Sequence, residues 1–148
     1  GVRDRAVQMI AHPEVRVRQA CGEVLGALAE TCGPPIWNAV ASTLLRNCEE
    51  NLELDEAARF KAKVSIPTEG NAQAKDMVHD TEGWKGLETS MIALDRIVRG
   101  CGQKLVGDQE LDALINLALR ARTHPNRFVR ESSMNVFTDT LDAFSRAT

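Results

Sequence analysis

Apolar residues recur along the chain at the three- and four-residue spacing that is typical of amphipathic α-helices. Between His12 and Gly33 these positions fall on one helical face: Val17, Cys21, Val24, Leu25, Leu28 and Cys32. Pro13 suits the first turn of a helix, and the run Gly33-Pro34-Pro35 ends it. We therefore predict a helix over 14–32, preceded by a shorter helix over Val2–Ala11.

The same periodicity predicts further helices downstream. One begins at Pro35 and has an apolar face that extends to Cys48. Another begins at Asp80 or Thr81, either of which can accept hydrogen bonds from the first free amides, and ends near Gly100. Two more are expected over about 108–123 and from His124 onwards, so that helix, turn and helix alternate.

The segment that begins at His12 has two related copies downstream. The residues from His124 to Arg130 match those from His12 to Arg18 without a gap, and His-Pro and Val-Arg coincide. When Cys101-Gly102 is aligned with Cys32-Gly33, small residues of the two segments fall at the same positions, and so do large apolar residues. The second and third copies start about 43 residues apart, which is the period of a two-helix repeat, whereas the first and second are about 69 apart.

The excess length lies in 49–80, where the apolar pattern loosens. This stretch has eight acidic and four basic residues, a net charge of −4 against −3 for the whole chain. Residues 52–63 can form a short helix, and Ser65–Asn71 has the composition of a loop. We expect an acidic, partly flexible insertion at 49–80. The alternative is an extra packed helix, or a cover for an open end, built from the apolar residues Leu52, Leu54, Phe60, Val64 and Ile66.

Composition agrees with a single helical domain. The chain has 148 residues, of which 43% are hydrophobic, and this suffices for one core. Aromatic residues make up only 4% and Tyr is absent, which favours helices over a β-sandwich. We predict an all-α fold.

The repeat resembles a known family. Val17-Arg18-Gln19-Ala20-Cys21 and Val129-Arg130-Glu131-Ser132-Ser133 are similar to the Val-Arg-x-x-small signature of HEAT repeats, close relatives of armadillo repeats. The second copy departs from it, with Gly86-Leu87 in place of Val-Arg. The resemblance implies a right-handed α-α superhelix, a solenoid of about three helix pairs with one long insertion. It also implies that 1–148 is one HEAT-like domain from a longer array, and that Arg18 and Arg130 form hydrogen bonds from turn to turn, with a ligand role as the alternative.

Several kinds of chemistry are disfavoured by the sequence. The net charge of −3 and the pI near 5.6 provide no overall field for nucleic acid or anionic lipid. The longest stretch without a charged side chain, Thr31–Leu45, is too short to span a bilayer. The four cysteines contain no C-x-x-C pair, and we expect Cys21, Cys32 and Cys101 to be buried thiols in a reducing compartment, the cytoplasm or the nucleus. No phosphate loop, metal-ligand spacing or activated nucleophile is recognisable, so we expect no cofactor, no small-molecule substrate and no enzyme activity.

The function that this pattern favours is a non-catalytic scaffold that binds another protein along the surface formed by its second helices. We expect nine exposed residues of mixed charge to form that surface: Arg16, Gln19, Glu23, Glu88, Asp95, Arg99, Glu131, Asn135 and Asp142.

Two alternatives involve other partners. Trp84-Lys85 is similar to a segment of tubulin-binding TOG arrays, although Trp84 also fits the apolar stripe, and we favour packing. A nucleic-acid-binding α-solenoid would need a basic stripe, for which six arginines are candidates: Arg16, Arg18, Arg120, Arg122, Arg127 and Arg130. Acidic residues are interleaved with them.

Overall fold

The computed structural model describes the backbone of residues 1–64 and 70–147, and their side chains except at 11, 55, 58–64, 70–83, 146 and 147. Six α-helices make up most of this part of the chain: α1 (Val2–Gln8), α2 (Val15–Cys32), α3 (Pro34–Val64), α4 (Gly70–Cys101), α5 (Gln109–Ala121) and α6 (Arg127–Ala147). Short 3-10 helices follow α1 at Met9–Ala11 and α4 at Gly102–Leu105. The chain is 89% helical without a strand in the described residues, so the predicted all-α class is confirmed.

Helix α4 occupies the middle of the fold. It packs against α2 on one side and α6 on the other, while α3 lies against both α4 and α5. Helices α2, α4 and α6 therefore form one layer, and α3 and α5 lie in a second. The core between the layers contains fully buried apolar side chains from α2, α3 and α4, including Leu25, Leu44, Leu87, Met91 and Leu94.

Helices α2 and α4 approach each other closely where both carry glycine. A Cβ atom added at Gly100 would lie 2.9 Å from the backbone nitrogen of Glu30, 3.0 Å from Ala29 Cβ and 3.0 Å from the carbonyl oxygen of Gly26. These distances are below ordinary van der Waals contact, and two of the three atoms belong to the backbone. The glycines Gly26 and Gly100 thus permit close packing of the two helices.

A buried tryptophan links α3 to the start of α5. Trp37 is fully buried, and its Nε1 donates a hydrogen bond of 3.1 Å to Asp108 Oδ1. The same oxygen accepts a bond of 2.8 Å from the backbone nitrogen of Glu110, so Asp108 is also the N-cap of α5. One carboxylate therefore satisfies a core donor and a free helix amide.

The acidic stretch is more helical than the sequence pattern indicated. Helix α3 continues without a break from Pro34 to Val64, and α4 already begins at Gly70, so the predicted helix start at Asp80 or Thr81 is wrong. No proline occurs in 70–101, and residues 72–75 (Ala-Gln-Ala-Lys) favour helix, which explains the earlier start. Of the expected loop Ser65–Asn71, residues 65–69 lie outside the described part of the chain.

The packing of this stretch is mixed. Leu52 is buried at 1% exposure, so the start of the expected insertion does contribute to the core, whereas Leu54 is 70% exposed. Phe60, Val64 and Ile66 have side chains outside the described set. The flexibility of 49–80 stays a prediction.

Candidate protein-interaction surface

The two His-Pro turns that matched in sequence also match in geometry. Arg18 Nη1 donates hydrogen bonds to the carbonyl oxygens of His12 at 2.8 Å and Pro13 at 2.9 Å. Arg130 Nη1 donates to the carbonyl oxygens six and five residues before it, those of His124 at 2.8 Å and Pro125. In each turn the histidine Nδ1 accepts a bond of 3.0 Å from the backbone nitrogen two residues later. The arginine therefore closes the turn at the start of α2 and of α6 in the same way.

Arg18 makes one hydrogen bond that has no counterpart at Arg130 among the described residues. Its Nε donates a 3.0 Å hydrogen bond to Thr89 Oγ1 on α4, and Thr89 in turn donates to the carbonyl oxygen of Lys85 at 2.7 Å. Arg18 is 6% exposed, whereas Arg130 is half-buried. Arg18 thus holds the turn before α2 against the central helix, and its charge is not available to a ligand.

The exposed side of the α2, α4 and α6 layer is centred on one face of α4. Its partly or fully exposed residues recur every three or four positions and define the α4 ridge: Lys85, Glu88, Ile92, Arg96 and Arg99. On α2, Glu23 forms an ion pair of 3.8 Å with Arg96. On α6, Glu131 lies close enough to Glu88 to act on its ionisation. Predicted residues from all three helices therefore meet along the ridge.

Glu88 has an unfavourable setting for a carboxylate. Burial has the largest effect and raises the pKa of Glu88. The Arg18 guanidinium lowers this pKa, and the negative charge of Glu131 raises it. Glu131 itself pairs with Arg127 one turn earlier at 2.8 Å. This part of the ridge would therefore be stabilised by a positively charged group from outside.

Arg99 lies between two polar clefts at the C-terminal end of the ridge. A cleft of about 360 Å³ on the α2 side is lined by Arg99 together with Glu23, Glu30 and Arg96. A cleft of about 590 Å³ on the α6 side is lined by Arg99 with Lys104, Asp139 and Asp142. Arg99 is exposed and makes no ion pair with any described residue, so its guanidinium can pair with a group from outside the chain.

Three of the nine predicted residues stand apart from this arrangement. Arg16 borders an apolar groove between α1 and α2 and is not on the ridge. Gln19 and Asn135 are exposed on α2 and α6. The sequence pattern missed Arg96, although it lies four residues after Ile92 and three before Arg99, a helical spacing that would have placed it on the same face.

Asp95 was expected to be exposed, and this prediction is wrong. It is 9% exposed because α6 packs across its side of α4, and its Oδ1 atom has no hydrogen-bond partner. Burial raises the pKa of Asp95 to about 7, and a hydrogen bond and the negative charge of Asp139 act in the same direction. Arg99 and Arg96 oppose the shift. Near neutral pH the Asp95 carboxyl can therefore keep its proton.

Asp95→Asn should make stability less dependent on pH. The folded protein binds this proton more tightly than the unfolded chain, whose aspartate has the ordinary pKa of 3.8, so wild-type stability should fall as the pH rises from about 4 to about 7. Asparagine cannot ionise. We therefore expect it to raise the free energy of unfolding by roughly 1–3 kcal/mol at about pH 8, with no gain at about pH 4.

Urea unfolding of both proteins at several pH values measures this effect. Asp112→Asn, at an exposed position on α5, is the matched control and should follow the wild-type curve. If Asp95→Asn showed the same pH dependence as wild type, a raised pKa of Asp95 would be disproved.

The cysteines are mostly inert. Burial, with a smaller contribution from Glu49, raises the pKa of Cys48 far above its ordinary range against the effect of a Ser90 hydrogen bond; burial also raises the pKa of Cys21 and Cys101. Such thiols are poor nucleophiles at neutral pH. Cys32 is exposed, contrary to expectation, because it occupies the last turn of α2 before Gly33, whose φ of 72° turns the chain away.

Trp84 lies on α4 and packs against the start of α6. Its ring stacks on that of Phe128 at the start of α6, with centroids 5.7 Å apart and planes inclined by 21°. Trp84 is half-buried and contacts the core, while Phe128 is 52% exposed. The favoured interpretation of Trp84 as a packing residue therefore has a specific partner, which the sequence did not indicate.

The described residues give no indication of a metal site or a membrane-spanning helix. No group of three or more His, Cys, Asp or Glu side chains there is arranged to hold a metal ion. Within 1–64 and 70–147, no helix combines the length and apolar character needed to cross a membrane. Comparison of the chain with protein-family models, with curated proteins and with solved structures finds no match in any of the three.

Proposed function

We propose that this chain is a HEAT-like helical-repeat scaffold that binds another protein along the α4 ridge and the adjoining faces of α2 and α6. The observation that carries the proposal is the setting of Arg99, an exposed guanidinium without an ion pair among the described residues, which lines two neighbouring open clefts of mixed charge. A side chain of opposite charge could reach it from the open side. Mixed charge of this kind suits a protein surface.

The repeat architecture is supported by two features. The turns at Arg18 and Arg130 share the same arginine-to-carbonyl hydrogen bonds, and the order of helix contacts is that of helix pairs stacked in two layers. We infer a solenoid of about three helix pairs, in which α2, α4 and α6 are the second helices. The cytoplasm or the nucleus is the compartment we favour.

The alternatives have less support. Of the arginines considered for nucleic acid, Arg18 is buried, and Arg120 is paired with Glu49 and Glu56 on α3. Trp84, the residue that suggested tubulin, is stacked against Phe128. These contacts leave the ridge as the surface that fits a protein partner best.

Charge reversal tests the proposal. The chain carrying Arg99→Glu is used as bait for affinity purification from lysate with quantitative mass spectrometry, beside wild type. We expect at least one wild-type partner to be lost, because the reversed charge meets the same partner carboxylate.

Arg122→Glu is the control, since this arginine is exposed at the end of α5 and lines neither cleft. It should retain every partner, and circular dichroism should show equal folding of both variants. Identical recovery with Arg99→Glu and wild type would contradict the assignment of this surface. Salt-dependent retardation of duplex DNA near physiological ionic strength would favour the nucleic-acid alternative instead.

A further inference from the structure

A second surface lies on the side of α2 that faces away from α4. Helix α2 meets α4 through Arg18, Gly22 and Gly26. Its opposite side, together with α1 and Met9, forms an open groove of about 650 Å³. The groove shares no lining residue with either cleft beside Arg99, so it is separate from the α4 ridge.

The floor of this groove is apolar throughout. Its uncharged side chains come from both helices and the connecting turn: Val2, Ala6, Met9, Val17, Ala20, Cys21 and Val24. Val2 is 68% exposed and Val24 is 37% exposed, although both are aliphatic. Covering them would remove apolar surface from water, which is the main favourable contribution to association.

The charged side chains at the groove are both arginines, and Gly1, whose amino group is paired with Asp4, also lines it. Arg5 on α1 and Arg16 on α2 are exposed, and neither forms an ion pair with a described residue. The nearest acid in sequence, Asp4, is already paired with Arg3 and with the amino group of Gly1. The groove therefore combines an apolar floor with unpaired positive charge at its edge.

The dimensions fit a helix. From Arg16 to Val24 the groove follows α2 for about 12 Å, which corresponds to roughly two helical turns. Two neighbouring helices form a furrow into which the side-chain ridge of a third helix can pack. An apolar stripe at positions i, i+3, i+4 and i+7 would cover this length.

We propose that this groove binds an amphipathic helix of a partner protein, whose apolar stripe covers the floor and whose flanking acidic residues pair with Arg5 and Arg16. This interaction is independent of binding at the α4 ridge. Acidic flanks are required because basic ones would place like charges opposite the two arginines.

Two synthetic peptides test the proposal. Both are fluorescein-labelled 18-residue helices with leucine at i, i+3, i+4 and i+7; one has glutamate beside this stripe and the other lysine. Fluorescence anisotropy with the whole chain measures the affinity of each peptide. At low salt the glutamate peptide should bind at least about tenfold more tightly than the lysine peptide. The ratio of the two affinities should be smaller at about 0.15 M salt, because salt screens the charges. The double variant Arg5→Glu, Arg16→Glu should reverse the preference.

Controls separate the groove from other surfaces. Val24→Glu should weaken binding of the glutamate peptide about tenfold or more, whereas Leu119→Glu, at a comparably exposed apolar position on α5, should not change it. Arg99→Glu should bind the peptide as wild type does. Circular dichroism melts establish that each variant is folded.

Equal affinity for the two peptides, or unchanged affinity in folded Val24→Glu, would overturn the proposal. Analytical ultracentrifugation tests whether a second copy of this chain occupies the groove. Self-association that Val24→Glu abolishes, and that the glutamate peptide does not reverse, would assign the groove to a second copy of this chain and would also overturn it.

Discussion

Replacing Leu94 with alanine is expected to lower the free energy of unfolding by about 2–5 kcal/mol, the usual range for a buried leucine. Leu94 is fully buried at the middle of the fold, on the helix that packs against α2, α3 and α6. The neighbours on three sides cannot all move inward to fill the space, so a cavity should remain. Urea unfolding followed by circular dichroism measures the loss.

Leu119→Ala provides the matched control, because it removes the same atoms at a position that is 41% exposed. We expect it to cost less than about 1 kcal/mol. A loss below about 1 kcal/mol for Leu94→Ala as well would mean that α4 is out of register with its neighbours.

The burial of Leu94 was predictable from sequence, whereas the exposure of Leu119 was not. Both positions fit an amphipathic stripe, but periodicity shows only which residues share a helix face and not whether another helix covers it. Leu94 belongs to a helix with neighbours on three sides. Helix α5 packs against α3 and α6, which leaves part of its apolar face uncovered.

Helix ends were predicted well where local chemistry fixes them. Asp108 caps α5 and Gly33 ends α2, as their residue types indicate. The start of α4 was misplaced because Asp80 and Thr81 are good capping residues that here lie within a longer helix. A capping residue shows where a helix can begin. Here the residues before Asp80 also favour helix, so α4 begins earlier.

The candidate surface was predicted only in part, because periodicity shows which residues share a helix face and not what packs against it. Glu23, Glu88, Arg99 and Glu131 lie on the α4 ridge or beside it, because helical periodicity placed each of them on the exposed face of α2, α4 or α6. The burial of Asp95 depends on the distance between α4 and α6, which no pattern within one helix reveals. The apolar groove between α1 and α2 also depends on packing, since its floor consists of residues that a helical pattern assigns to a core.

Arg18→Met is expected to lower the free energy of unfolding by about 2–4 kcal/mol. Methionine retains an apolar stem of similar length but cannot donate hydrogen bonds. The carbonyl oxygens of His12 and Pro13 and the hydroxyl of Thr89 would each lose a donor, and the Thr89 contact is buried. Urea unfolding at neutral pH measures the change.

Arg130→Met is the matched control, because Arg130 closes an equivalent turn without a side-chain hydrogen bond to another helix in the described part of the chain. Its side chain is half-buried, so water can replace the lost donors, and we expect a cost of about 1 kcal/mol. A double-mutant cycle with Thr89→Val should give a coupling energy of about 1 kcal/mol for the Arg18–Thr89 pair. Equal losses in the two arginine variants, with no coupling in the cycle, would show that Arg18 stabilises only its own turn and does not hold α2 to the central helix.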